Sequence, residues 1–264
     1  MFSRGIIESA ATVAAIAAVL QSLCVAGASA GEVVGTIERV KGSIVAVGTY
    51  ERMRSPPFQF RGTGFAVGDG TLIATNAHVV SGVLDAAHLE VLGILIPGPE
   101  RDKVQFRQAR QLAVDTGSDL ALLRIDGQPL PALRMRDSDG VKEGQEVLFT
   151  GFPIGAVLGP YPATHRGMVS AITPIAIPQR QSGDLDPKLI RRLTTGAFPV
   201  FQLDATAYPG NSGSPVYDAA TGEVLGVINM VFVKGTKESV LTQPSGITYA
   251  IPAKYLQDLV QKAR

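Results

Sequence analysis

Three short segments hold residue types that could do chemistry together. Gly210-Asn211-Ser212-Gly213-Ser214-Pro215 sets a serine between glycines. A tight turn of that composition leaves the hydroxyl unobstructed and lets successive backbone N–H groups converge on a developing oxyanion. Thr75-Asn76-Ala77-His78-Val79-Val80 carries a histidine directly after an apolar run. Ser118-Asp119-Leu120-Ala121-Leu122-Leu123 puts an aspartate just ahead of another. Each segment alone has a plain structural reading: an ordinary loop, a packed histidine at a strand end, a solvated strand-end carboxylate. Together they are the parts of nucleophilic acyl transfer. A serine hydroxyl needs a base, and a histidine base needs a carboxylate to fix its tautomer. His88 and His165 are the other candidate bases; His88 adjoins an apolar run without a partnering motif, and His165 is expected to face solvent. Asp115 and Asp126 flank Asp119.

The elements that must position these residues read as short strands. Apolar or alternating stretches fall at 44–48, 63–67, 71–75, 89–95, 103–114 and 120–125, and again at 146–150, 166–172, 200–204, 213–217, 223–233 and 246–251. In 103–114, Val104, Phe106 and Ala109 break strict alternation, which predicts a bulge or a change of strand. Residues 126–144, with Pro129, Pro131 and Gly140, read as a crossing between two halves. Six and six short strands predict an all-β chain of two antiparallel six-stranded barrels, a pattern that a sandwich would share. Pro252 followed by Tyr255, Leu256, Leu259 and Val260 on one face predicts a short C-terminal helix. Asp186-Pro187 heads a second helical stretch inside a long connection over 173–199.

Composition narrows the function classes. Lys plus Arg number 24 against 23 Asp plus Glu, and no run of five like charges occurs, so nucleic acid is not an expected partner. Gly (29) and Pro (17) are frequent enough to disfavour long helices, and 45% hydrophobic residues exclude general disorder. The single cysteine, Cys24, excludes a disulfide within the chain, and no Cys/His spacing suits a metal, so no cofactor is expected. Residues 1–30 read as an export signal: Arg4, an apolar run from Ala10 to Leu20, and Ala28-Ser29-Ala30 as the cleavage pattern. Cleavage would leave no membrane span; the competing reading is a retained anchor from Ile6 to Val25. The expected division is then 1–30 as signal, 31–135 with His78 and Asp119, and 136–264 with Ser212.

The order His78, Asp119, Ser212 is that of the chymotrypsin-type triad. With TGFAV, TLIATNAHVV, SDLALLRI, RDSDGVKEGQEV, GFPIG, RGMVSAI, GNSGSP and LGVIN in order over 62–230, the sequence resembles the trypsin-like (PA clan) serine proteases, most closely the HtrA (Deg) family. ITYAIP at 247–252 resembles that family's closing strand. The resemblance implies Ser212 as nucleophile, His78 as general base and Asp119 as its orienting carboxylate. It implies an oxyanion hole in the segment Gly210, Asn211, Ser212, with the N–H groups of Gly210 and Ser212 as donors. The substrate pocket would be lined by Thr206, Ala207, Tyr208, Asn229, Met230 and Val231. The implied function is an exported, periplasmic or secreted, ATP-independent endopeptidase acting on unfolded or damaged polypeptides. Its oligomeric state stays open. The alternative is a protease fold that is catalytically silent, or a narrowly specific processing or binding protein.

Departures from the family pattern sharpen the expectation. Ser214 stands where HtrA proteases usually have a second glycine, a form shared with glutamyl endopeptidases, but Ile228 holds the place of their glutamate-reading histidine. Thr206 occupies the place of a trypsin's pocket aspartate, and an uncharged pocket cannot compensate a buried Lys or Arg. With Val231 along the pocket wall, small or medium aliphatic residues are expected before the scissile bond. Asn211 replaces the aspartate that trypsins pair with a new N-terminus, so zymogen cleavage is not the expected switch. The chain ends at Arg264, which leaves no room for the PDZ domain typical of the family, and the 173–199 connection holds the place of its sensor loop.

Overall fold

The structure, a computed structural model, describes residues 31–98, 103–155, 159–174, 198–229 and 246–263. The expected signal, the helical stretch after Asp186-Pro187, most of the 173–199 connection, Met230 and Val231 lie outside the described residues.

Twelve strands form two closed antiparallel barrels. The first contains β1 (Ile44–Tyr50), β2 (Phe58–Val67), β3 (Leu72–Asn76), β4 (Val91–Pro97), β5 (Val104–Asp115) and β6 (Leu120–Ile125), in the order β1-β2-β3-β6-β5-β4. The second contains β7 (Glu146–Gly151), β8 (Ala163–Pro174), β9 (Pro199–Asp204), β10 (Pro215–Asp218), β11 (Val224–Asn229) and β12 (Ile247–Pro252), in the order β10-β11-β12-β9-β8-β7. The predicted all-β class of two six-stranded barrels and a short C-terminal helix is the architecture found. Closure removes every sheet edge, so each backbone ladder is satisfied within its own barrel.

The apolar runs are continuous because these strands are buried on both faces. Along β6, Ala121 and Leu123 point into the first barrel beside Val45, Val47, Ile73 and Ile94. Leu120 and Leu122 point the other way, into a seam with Phe65, Leu148, Tyr217, Val224 and Val227 that joins the two barrels. The second barrel is filled by Val147, Phe149, Val169, Leu203, Leu225 and Ile228. Burying each such side chain contributes about 1.5–3 kcal/mol, and the seam makes the two barrels one hydrophobic unit. The predicted irregularity of residues 103–114 is a register shift of β5 against β6 between Gln111 and Ala113.

The crossing between the barrels is tied to both of them near its middle, with Leu133 bridged to Val67 and Met135 to Val224. A helix over 31–41, α1, was not expected from the sequence. Gly31, Gly35 and five β-branched residues, Val33, Val34, Thr36, Ile37 and Val40, give it poor intrinsic propensity. Packing supplies what propensity lacks: Val33, Ile37 and Val40 lie on the inter-barrel seam, and the Thr36 hydroxyl donates to Ala220 O at 3.1 Å. A single-turn helix, α2 (Ala77–Val80), carries His78, and α3 (Ala253–Lys262) buries Leu256, Leu259 and Val260 in the seam. The strand expected at 213–217 starts only at Pro215, because Ser212 to Ser214 belong to a turn.

Candidate active site

The aspartate at the head of β6 organises the histidine segment. Asp119 sits at φ +56, the left-handed region that a non-glycine residue enters only under constraint. In that conformation its carbonyl accepts from Ala77 N at 3.0 Å and from Asn76 Nδ2 at 3.1 Å. Its carboxylate takes the next backbone group, with Oδ1 accepting from His78 N at 2.9 Å. One residue thus fixes the entry to α2 from both its backbone and its side chain. The remaining oxygen, Oδ2, is 2.6 Å from His78 Nδ1. Asp119's side chain is 10% exposed and His78's is 31%, so the pair has a dry inner half and an accessible outer half. An Nδ1–H donated to the carboxylate leaves the Nε2 lone pair free to take a proton.

The serine turn is held by the first barrel as well as by its own. Ser212 O accepts from Thr63 N of β2 at 2.8 Å, and Gly213 N donates to Ile228 O of β11 at 3.0 Å. A Cβ on Gly62 would fall 2.7 Å from Val79 Cγ2 and 3.0 Å from Ser212 O, so β2 is wedged between the histidine helix and the serine turn. Asp119 and His78 therefore come from one barrel, Ser212 from the other, and β2 sets the spacing between them.

The backbone of the same turn is held at several of its carbonyls. Pro209 O accepts from Ile154 N at 2.7 Å. In a trans peptide the following N–H, that of Gly210, points the opposite way. Gly210 O accepts from the Thr63 hydroxyl at 2.7 Å. Asn211 N donates to Tyr208 O at 2.9 Å and so is not available to an anion. Among the described residues, the N–H groups of Gly210 and Ser212 donate to no protein acceptor. Gly210 needs its lack of a side chain twice over: φ is +103, and a Cβ would lie 2.3 Å from Phe152 O. Ile154, which fixes the peptide orientation, is itself at φ +56, a costly conformation for a β-branched residue, of order 1–3 kcal/mol.

The remaining expected site residues separate. Ala207 is buried, with its N–H 3.2 Å from the Thr248 hydroxyl, which in turn donates to Ala205 O at 2.7 Å. Thr206 and Tyr208, on either side of it, are partly exposed. Asn229, expected in the substrate pocket, spends its buried side chain elsewhere: Nδ2 lies 2.7 Å from Asp119 Oδ2. A run such as Val227-Ile228-Asn229 carries no sign of that partner, which lies in the other barrel. Sequence reasoning also passed over Gly151 and Thr63. A Cβ at Gly151 would lie 1.9 Å from Ser214 Oγ, so the extra hydroxymethyl of Ser214 fits because β7 ends in glycine.

Neither of the other histidines is paired with Asp119. His88 is exposed and pairs with Asp85 at 2.7 Å; that hydrogen bond raises its pKa. His165, expected to face solvent, is instead half-buried and stacked on Phe149, with burial holding its imidazole below the ordinary value of 6.5. Among the described residues no cluster of His, Cys, Asp and Glu could hold a metal ion, and no helix is long and apolar enough to cross a membrane.

Comparison with known proteins agrees with this geometry. A family model described as a trypsin-like peptidase domain matches residues 62–227. A Marinomonas protein named "Probable periplasmic serine endoprotease DegP-like" is 30% identical over 215 residues, covering 80% of this chain and 38% of the relative. A Halomonas elongata protein of the same name is 30% identical over 204 residues, 77% of this chain and 35% of the relative. This chain thus spans less than two-fifths of the length of these relatives. Among solved structures, the HtrA-type protease AlgW with a decapeptide superposes with a TM-score of 0.61 at 22% identity, over 88% of this chain and 67% of that one. That likeness concerns the fold.

Proposed function

The chain belongs to the trypsin-like peptidase family, and from that membership we propose that it is a serine endopeptidase working through Ser212, His78 and Asp119. The observation that carries the reading is the Asp119 Oδ2 to His78 Nδ1 contact of 2.6 Å, in a segment whose backbone the same carboxylate also holds. A carboxylate spent on both the helix entry and the imidazole fixes ring tautomer and ring orientation at once.

The chemistry follows from those positions. His78 Nε2 takes the proton of the Ser212 hydroxyl as Oγ bonds to the scissile carbonyl carbon. The carbonyl electrons move onto oxygen, which the N–H groups of Gly210 and Ser212 meet. His78 then passes its proton to the amide nitrogen, the C–N bond breaks, and the amine leaves with an acyl-Ser212 ester behind it. A water gives its proton to His78, its oxygen attacks the ester, and collapse returns the proton to Ser212 Oγ with release of the acid. No cofactor enters the sequence of steps.

The substrates in this reading are polypeptides, with small or medium aliphatic side chains before the cleaved bond because Thr206 brings no charge to the pocket. The relatives' names and the leader-like residues 1–30 support export to the periplasm followed by removal of the signal, with unfolded or damaged proteins as targets. A fluorophosphonate probe on the purified protein tests the assembled nucleophile. Labelling that disappears in Ser212→Ala and His78→Ala, with casein cleavage lost in parallel, is the expected result. Folded protein that neither labels nor cleaves would leave a protease fold used for binding.

A further inference from the structure

We infer that His165 is a positioning residue for the oxyanion turn, acting through Tyr208; the inference rests on the endopeptidase reading above. His165 lies on β8 in register with Phe149 of β7. The two rings stack with centroids 4.8 Å apart and planes 13° from parallel. Beyond the imidazole stands the Tyr208 ring, 6.3 Å away and tilted by 47°. Tyr208 is two residues before Gly210, and its carbonyl receives the Asn211 N–H at 2.9 Å. The imidazole therefore lies between the wall of the second barrel and the residue from which the oxyanion turn is launched.

The stack holds for a neutral ring only. His165 Nε2 is buried and finds no hydrogen-bond partner among the described residues. A neutral imidazole with its proton on Nδ1 leaves only a lone pair there. An imidazolium puts an N–H into the same place with no acceptor, a costly state that turning the ring out to water relieves. Burial accordingly keeps the ring neutral. The ring partners are both aromatic: β7 contributes Phe149, and the turn segment contributes Tyr208. The neighbouring charges point elsewhere, since Arg166 of β8 pairs with Glu146 of β7 on the exposed side, and Asp204 at the end of β9 is exposed. Acidification thus withdraws the ring from under Tyr208 and loosens the turn that orients Gly210.

This arrangement makes a proton count. One proton on the general base gives the acid limb of log(kcat/KM) a slope of one. A second, on His165, whose burial holds its imidazole below the ordinary value, steepens the acid end of that limb toward two. The experiment compares that limb for the full chain and for His165→Phe, which keeps a ring in the stack but cannot titrate; a slope of one throughout is expected for the variant. His165→Gln removes the ring altogether and should lower kcat more than it raises KM. Independently of turnover, NMR on Ser212→Ala should show the Gly210 amide and Tyr208 ring signals moving with the His165 titration. A wild-type slope of one down to the acid limit, or a Gly210 amide indifferent to His165, overturns the inference. If the protein cleaves nothing and the Gly210 amide still follows His165, the coupling stands and the endopeptidase reading falls.

Discussion

Asn229 Nδ2 lies 2.7 Å from Asp119 Oδ2, the same oxygen that receives His78 Nδ1. The last residue of β11 in one barrel thereby reaches the carboxylate at the head of β6 in the other. With His78 N on Oδ1, the carboxylate is met by three donors drawn from both barrels. Relative placement of the barrels and orientation of the imidazole are thus set at one group.

Asn229→Ala removes one of those donors while keeping the strand. A hydrogen bond to a charged group is worth about 1.5–3 kcal/mol. Loss of that hold should lower kcat by about ten- to a hundredfold with KM changed much less, since the contact bears on the base and not on bound substrate. Steady-state kinetics on one peptide substrate check it. Equal losses in Asn229→Ala and in Ile228→Val, a buried change in the same strand that leaves the contact in place, would show that the strand matters and the contact does not.

A pH prediction comes from the far side of the first barrel. The Thr49 hydroxyl, the Asp85 N–H and the Arg54 guanidinium hold the Glu90 carboxyl well below its ordinary value of 4.5, at about 2. Arg54 Nη1 is 2.9 Å from Oε1 and Asp85 N is 3.0 Å from Oε2, with the side chain only 8% exposed. A carboxyl depressed on folding adds stability above its unfolded value, and that stability is lost as pH falls from about 4.5 towards 2. Glu90→Gln should therefore cost about 2–3 kcal/mol at pH 7 and close to nothing at pH 2. Urea unfolding at several pH values measures the convergence; a constant difference would place the effect in packing.

Much of this was legible in the sequence, for reasons that can be named. Strands buried on both faces leave continuous apolar runs, so residues 120–125 and 224–229 declared themselves, and the histidine and the aspartate stood beside such runs. What stayed hidden depends on partners far away in the chain. The helix over 31–41 forms against the inter-barrel seam and against its own propensity. Asn229 finds Asp119 across 110 residues. His165 reads as a polar residue ahead of a strand, and only the barrel's closure brings Phe149 and Tyr208 against it.

The oxyanion donors can be tested through Gly210. Gly210→Ala must either leave φ +103 or push Phe152 O away, and both reorient the Gly210 N–H proposed to meet the oxyanion. Loss of one such donor costs about 3–4 kcal/mol of transition-state stabilisation, roughly 10²–10³ in kcat. Peptide hydrolysis should fall by that factor while far-UV circular dichroism still reports two intact barrels. Activity within a few-fold of the parent would mean that Gly210 N is not a donor to the reacting carbonyl.

Thr63 offers the sharpest separation of structural from positioning effects. Its hydroxyl donates to Gly210 O at 2.7 Å and accepts from Phe152 N at 3.1 Å, while its own N–H holds Ser212 O at 2.8 Å. The residue is fully buried, so water cannot replace the hydroxyl's bonds without a rearrangement. Thr63→Val keeps the shape and the backbone bond to Ser212 but leaves Gly210 O and Phe152 N unpaired, at about 1–3 kcal/mol of stability for each group stranded. Without that bond the Gly210–Asn211 peptide is held only through the Asn211 N–H to Tyr208 O, which loosens the turn. Thr63→Ser restores the hydroxyl at the price of one methyl. The expected order for fluorophosphonate labelling rate is wild type, then Thr63→Ser within about threefold, then Thr63→Val lower by at least tenfold. Because Ser and Val both leave the Thr63 N–H to Ser212 O in place, that order isolates the hydroxyl. If Thr63→Ser labels as slowly as Thr63→Val, the buried methyl group sets the turn and the hydrogen bond to Gly210 does not.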